Sequence, residues 1–128
     1  MTMRMMKHYD VIIVGSGPAG IFTALDILQK RQGTEVIIIE KGRDIDERVC
    51  PMKKWDTSCS ECPECSLLSG WGGAGAYSDG KLTLSPEIGG TLAKFTDPTS
   101  LESMIREADS TYVRYGAPDE LYGSDHSA

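Results

Sequence analysis

Gly15-Ser16-Gly17-Pro18-Ala19-Gly20 follows directly on the apolar run Val11-Ile12-Ile13-Val14. The glycines make a G-x-G-x-x-G turn placed between an apolar strand pattern and a helix pattern, where its mechanism requires it. Gly15 permits the tight turn, Gly17 lets main chain approach a pyrophosphate, and Gly20 lets the helix pack close to the strand. The pyrophosphate would face a helix N-terminus and its free N–H groups. Glu40 ends the second apolar run, Val36-Ile37-Ile38-Ile39, twenty residues after Gly20. A carboxylate there accepts hydrogen bonds from ribose hydroxyls and repels a 2′-phosphate, which disfavours NADP. The bland alternative is a glycine turn of another α/β fold, with Glu40 a solvated strand end.

The four cysteines are a second candidate. Cys59, Cys62 and Cys65 are spaced by two residues, and Cys50 lies nine positions upstream. Thiolates at that spacing can reach one metal centre from a tight loop. The triple run resembles the start of a bacterial ferredoxin ligand set, but position 69 is Ser69, so Cys50 would have to serve as the fourth ligand. Zinc suits the spacing less well than an iron–sulfur cluster, because zinc sites normally use two separated pairs. A redox dithiol, Cys59/Cys62 or Cys62/Cys65, and four free thiols are the other readings. Asp56, Glu61 and Glu64 crowd negative charge around these thiols. That disfavours an activated nucleophile and suits a metal, whose charge would offset it.

Seven of the fourteen glycines fall between Gly70 and Gly90. The stretch from Trp71 to Thr83 is dense in small residues, which lets main chain lie flat against a ligand and present N–H groups. Trp71, Tyr77 and Leu82 make it more aromatic and apolar than a plain linker. Lys81 fits a phosphate contact and a surface position equally well. His8 and His126 lie outside the patterned segments and read as solvated.

These residues need elements to position them. Val11–Val14 and Val36–Ile39 are short β-branched runs of the kind found in strands buried on both faces of a parallel sheet. Ile21, Phe22, Ala24, Leu25, Ile27 and Leu28 recur at helical spacing. Lys30 and Arg31 complement the helix C-terminus and Gly33 can cap it. The order predicts a βαβ unit over residues 9–40. A cysteine-rich segment follows over 50–65, with a helical turn predicted at 44–49. A glycine-rich loop spans 69–90, with a short strand at Lys81 to Leu84. Asp97-Pro98 as N-cap and first helical residue open a helix over 97–115, ended by Gly116 and Pro118. The acidic tail from Asp119 is expected to fray. The fold class is α/β: a partial Rossmann-type dinucleotide-binding domain with a parallel sheet.

The chain has 128 residues and a net charge of −6. Residues 1–48 carry seven basic and seven acidic groups, whereas residues 49–128 carry six and twelve and so hold the whole excess. With no basic stripe, a nucleic-acid partner is not expected. No apolar run reaches the ~18 residues of a membrane span, and no signal-type segment opens the chain. A cytoplasmic location is expected, where cysteines serve as thiols, ligands or redox groups.

The fingerprint alone does not choose between FAD and NAD. Its place near the start of the sequence, and Glu40-Lys41-Gly42, resemble FAD-dependent oxidoreductases with a glutathione-reductase-type flavin domain. The resemblance sharpens over Val11–Gly20, Glu40–Asp44, Cys50-Pro51-Met52, the cysteine run, Gly70–Gly75, Ser78–Leu82 and Gly116-Ala117-Pro118. In this order they look like the N-terminal part of a bacterial and archaeal family of uncharacterised NAD(FAD)-utilising dehydrogenases. The likeness spans about residues 8 to 123.

The resemblance implies FAD held by Gly15, Ser16, Gly17, Pro18, Ala19, Gly20, Glu40 and Lys41, with Gly72, Gly73, Ala74 and Gly75 beside the rest of the cofactor. It further implies a redox reaction with NAD(P)H as co-substrate, a small-molecule or electron-transfer substrate, and single-electron traffic if the cysteines hold a cluster. The flavin does the hydride chemistry, so no catalytic side chain is implied. Members of that family are several times longer, so the chain is expected to be a truncated piece, inactive alone. An NAD-binding Rossmann module and a non-catalytic nucleotide- or metal-binding fragment are the alternatives.

Overall fold

A computed structural model describes residues 7–77 and 81–121. The chain divides into two units, 1–80 and 81–128.

The first unit is built on β1 (Val11–Val14), α1 (Pro18–Lys30) and β2 (Val36–Ile39). The two strands pair in parallel, with Val11 opposite Val36 and Val14 opposite Ile39. This is the α/β arrangement predicted from the sequence, and α1 is the crossover between its strands. Hydrogen bonds extend the ladder beyond both strand ends. The amides of Asp10 and Val11 donate to the Glu35 carbonyl at 2.9 and 3.2 Å, and the Gly15 amide donates to that of Ile39 at 2.7 Å.

Close packing of α1 on β1 depends on Gly20. A Cβ there would collide with the Gly15 carbonyl oxygen and lie 3.3 Å from Ile13 Cγ2. Ala24, one turn later, is buried on the same side. Pro18 stands in the first turn of α1, and Lys30, in its last turn, pairs with Asp26 at 2.6 Å. Arg31 is the C-cap residue, so Gly33 belongs to the turn into β2 rather than capping the helix as expected.

One expectation needs correcting. The strands are not buried on both faces: Val14 is 84% exposed, Ile12 61% and Ile39 50%. Helix α1 covers the other face, and no further strand pairs with β1 or β2 among the described residues.

After β2 come a 3-10 turn at Ile45–Glu47, opened by the Asp44 side chain, and the short helix α2 (Pro51–Trp55). The glycine-rich segment then closes into a 3-10 helix at Gly73–Tyr77.

The second unit holds α3 (Pro98–Arg114) behind a 3-10 turn at Leu92–Lys94. Asp97 caps α3 as predicted, its carboxylate accepting from the Ser100 amide at 2.9 Å. The Ser100 hydroxyl first, and then its amide, hold the Asp97 carboxyl below its usual range. Gly116 and Ala117 close the other end, donating to the carbonyls of Val113 and Tyr112 at 3.0 Å each, a Schellman ending. Leu101 is buried. The strand expected at Lys81 to Leu84 is not formed; that segment has no ladder partner among the described residues. Ser78–Gly80 and the tail from Tyr122 lie outside the described residues, as does His126. No described helix is long and apolar enough to cross a membrane.

Two glycines of the same turn should behave oppositely. Gly20→Ala drives a methyl into main chain that cannot rotate away, so it should destabilise the first unit by at least the about 1–3 kcal/mol typical of overpacking. Gly17 has ordinary extended backbone (φ −70°) and open space where a Cβ would stand. Gly17→Ala should therefore leave the denaturation midpoint unchanged. Urea unfolding of both variants checks the contrast.

Candidate functional site

The strand register builds the site. With Gly15 bonded to the Ile39 carbonyl, the next residues along the two strands are Ser16 and Glu40. The Ser16 amide and hydroxyl both donate to Glu40 Oε2, each at 2.9 Å. Glu40 Oε1 accepts from the amides of Gly42 at 2.9 Å and Gly70 at 3.0 Å. A carboxylate offers about four acceptor positions, so one side chain is filled by donors from three segments. Ser16 is completely buried beneath this junction. Its hydroxyl also lies 3.4 Å from the Gly70 carbonyl oxygen, an alternative acceptor.

The donors stabilise the charged form of Glu40. Its pKa falls from 4.5 to about 2, chiefly through the Ser16 amide, then the Gly42 amide and the Ser16 hydroxyl, with Gly70 adding less and burial opposing. Close approach of the loops depends on missing side chains. A Cβ on Gly42 would stand 2.6 Å from the Ser69 carbonyl carbon. Gly70 has φ +118°, and a Cβ there would lie 2.6 Å from the Arg43 carbonyl oxygen and 2.7 Å from Arg48 Cδ.

Arg48 is the second buried polar residue of this unit, at 4% exposure. Its Nε donates to the Ser66 carbonyl at 2.9 Å, and its Nη1 donates to the carbonyls of Trp71 and Gly73 at 2.7 Å each. The guanidinium carbon lies 4.8 Å from the centre of the Tyr77 ring, a cation–π contact. The Tyr77 hydroxyl donates back to the Arg48 carbonyl. Arg48 Nη2 is buried with no partner among the described residues. Leaving such a donor unpaired costs on the order of 1–3 kcal/mol, more when charged. Sequence reasoning missed this residue. It sits in the charged run from Arg43 to Arg48, where every neighbour is exposed, and nothing in its spacing marks it as buried.

The second glycine segment meets the first at this junction. The Gly72 amide donates to the Ser16 carbonyl at 3.0 Å. A Cβ on Gly73 would stand 3.0 Å from Gly17 Cα, and one on Gly75 would stand 3.4 Å from Pro18 Cγ. At the start of α1 no side chain caps the helix, and the amides of Ala19 and Gly20 have no partner among the described residues. The structure thus brings Gly15, Ser16, Gly17, Pro18, Ala19, Gly20 and Glu40 together with Gly72, Gly73, Ala74 and Gly75. Lys41 is adjacent in sequence but exposed, and His8 is exposed.

Cys59 and Cys62 are exposed, Cys50 and Cys65 are half-buried, and all are free thiols. Among the described residues no three His, Cys, Asp or Glu side chains gather as metal ligands. The segment is irregular between Thr57 and Pro63, with Glu61 at φ +46°, and no regular element aims its thiols at one point.

Residues 10–46 match the protein family described as FAD binding domain. The match covers β1, α1, β2 and Glu40, so the βαβ unit has the pattern of an FAD-binding domain. A protein of Clostridium beijerinckii (strain ATCC 51743 / NCIMB 8052), described only as uncharacterized, is 44% identical over 72 residues, which is 56% of this chain and 13% of the relative. The chain therefore spans a small part of that relative's length. No solved structure matches.

Glu40 gives the junction a pH dependence of known sign. Its pKa is depressed on folding, so the stability it contributes is present above about 4.5 and is lost as pH falls from there through about 2. Glu40→Gln should destabilise the first unit by about 1.5–3 kcal/mol at neutral pH, because an amide NH2 cannot accept from the donors facing it. It should also flatten the stability profile in that acid window. Equal acid slopes for parent and variant in urea titrations would contradict the assignment.

Proposed function

We propose that this chain is the part of a flavin-dependent oxidoreductase that holds the ADP half of FAD. The observation that carries this reading is Gly17. Its backbone is ordinary and its missing side chain is not needed for packing, because a Cβ would meet nothing within 4 Å. Glycine there keeps open the approach to the uncapped N-terminus of α1. Main-chain donors at a helix N-terminus suit a pyrophosphate. The family match over residues 10–46 supports FAD as the dinucleotide.

In this reading the amides of Ala19 and Gly20 receive pyrophosphate oxygens, and Glu40 receives a ribose hydroxyl. Glu40 is already saturated by protein donors, so the ribose needs one of them to yield. Ser16 can do so, since its hydroxyl has the Gly70 carbonyl as a second acceptor. The charged state of Glu40 at neutral pH also repels a 2′-phosphate, so NADP is excluded. Gly72–Gly75 and Lys41 flank the remaining part of the cofactor. When bound, FAD supplies two-electron hydride chemistry.

The test is a titration of the purified chain with FAD, NAD and NADP, read by flavin fluorescence and by calorimetry, with an absorption spectrum and iron, zinc and sulfide assays of the protein as isolated. FAD is expected to bind best and NADP not at all. Gly17→Ala should weaken FAD about tenfold or more by obstructing the pyrophosphate while leaving the fold intact. Preference for NAD over FAD, or equal FAD binding by Gly17→Ala, would overturn the assignment.

A further inference from the structure

The second glycine segment owes its orientation to Arg48. A peptide unit is planar, with its N–H pointing opposite to its C=O. Arg48 Nη1 draws in the carbonyls of Trp71 and Gly73. The N–H groups of the same two peptide units belong to Gly72 and Ala74, and they must point away from Arg48. For Gly72 the consequence is visible: its amide reaches the Ser16 carbonyl at 3.0 Å, inside the first glycine turn. The Ala74 amide is turned by the same grip and has no partner among the described residues. The intervening Gly73 lies against Gly17, where a Cβ would come within 3.0 Å of Gly17 Cα.

We propose that Arg48 is a positioning residue for the dinucleotide: through the carbonyls of Trp71 and Gly73 it sets the Ala74 N–H as a further donor to the pyrophosphate. This rests on the FAD reading above. The role is not that of a charge facing the phosphate. The guanidinium is enclosed by three carbonyls and the Tyr77 ring, and its remaining donor is buried. Binding of an anion therefore depends on the geometry of the guanidinium fork, which a lysine does not reproduce. The close approach of Gly70 to Arg48 Cδ and Nε fits a side chain clamped along its length.

The experiment compares Arg48→Lys, Arg48→Gln and Ala74→Pro with the parent chain. Affinity for FAD, ADP and adenosine is measured by calorimetry or ligand-observed NMR, and amide hydrogen exchange reports on Gly72 and on strand residues Ile13 and Ile37. Both Arg48 variants should lose Gly72 protection while Ile13 and Ile37 stay protected. FAD and ADP should weaken about tenfold, roughly the loss of one charge-assisted hydrogen bond, and adenosine should be unaffected. Ala74→Pro removes the donor with Arg48 in place, and should reproduce the ADP loss with Gly72 protection kept. It therefore decides the question even if the Arg48 variants unfold. Parent-like ADP binding by Arg48→Lys would show that charge rather than grip matters and overturn the proposal, as would undiminished ADP binding by Ala74→Pro. If the parent itself binds neither FAD nor ADP, the underlying FAD reading fails, a result distinct from parent-like variants.

Discussion

One carboxylate ties the first unit together. Glu40 leaves the end of β2 and gathers the amide and hydroxyl of Ser16, the amide of Gly42 and the amide of Gly70. These donors come from the first glycine turn, the exit of β2 and the second glycine segment, which are distant in sequence. Hydrogen bonds to an ionised acceptor are the strong ones, and their strength is visible in a pKa near 2. Without the charge, three main-chain segments would lose their common acceptor. The position of Gly17 and of the α1 N-terminus relative to the second glycine segment follows from this junction.

Arg48 answers Glu40 from the other side of the same segment. Glu40 collects N–H groups, while Arg48 collects the carbonyls of Ser66, Trp71 and Gly73. The chain between Ser66 and Tyr77 is thus held through both kinds of main-chain group by two charged side chains that do not pair with each other. A small unit with few buried apolar residues gains definition from such polar ties, because two strands and one helix enclose little core. Ala24 is its buried hydrophobic side chain among the described residues. The open face of the sheet at Ile12 and Val14 shows the same shortage of covering layers.

The βαβ unit was legible because each piece carries its own local signal. Four β-branched residues, a glycine turn, a helical apolar stripe and a second β-branched run permit few other arrangements. The close approach at Gly20 and the capping of α3 by Asp97 were readable for the same reason: each concerns residues a turn apart. What could not be read was long-range. Glu40 is readable as a ribose acceptor from its place at the end of β2, but its bonds to Ser16, Gly42 and Gly70 depend on the strand register and on the return of the chain at Gly70, neither of which is written locally. Arg48 looks like any charged residue in a solvated run, and only the fold of residues 66–77 around it makes it buried. The cysteine spacing suggested a ligand set, but spacing alone does not aim thiols, and the loop around Glu61 supplies no regular element to do so.

The central claim is that FAD is received at the turn from Gly15 to Gly20, beside Gly72–Gly75. Amide chemical-shift mapping by NMR during addition of FAD tests it residue by residue. The largest changes are predicted at Gly17, Ala19, Gly20 and Ala74, with the amides of Ile37 and Ile38 little affected. Changes confined to the second unit, or the absence of saturable shifts anywhere in the glycine turn, would contradict the account.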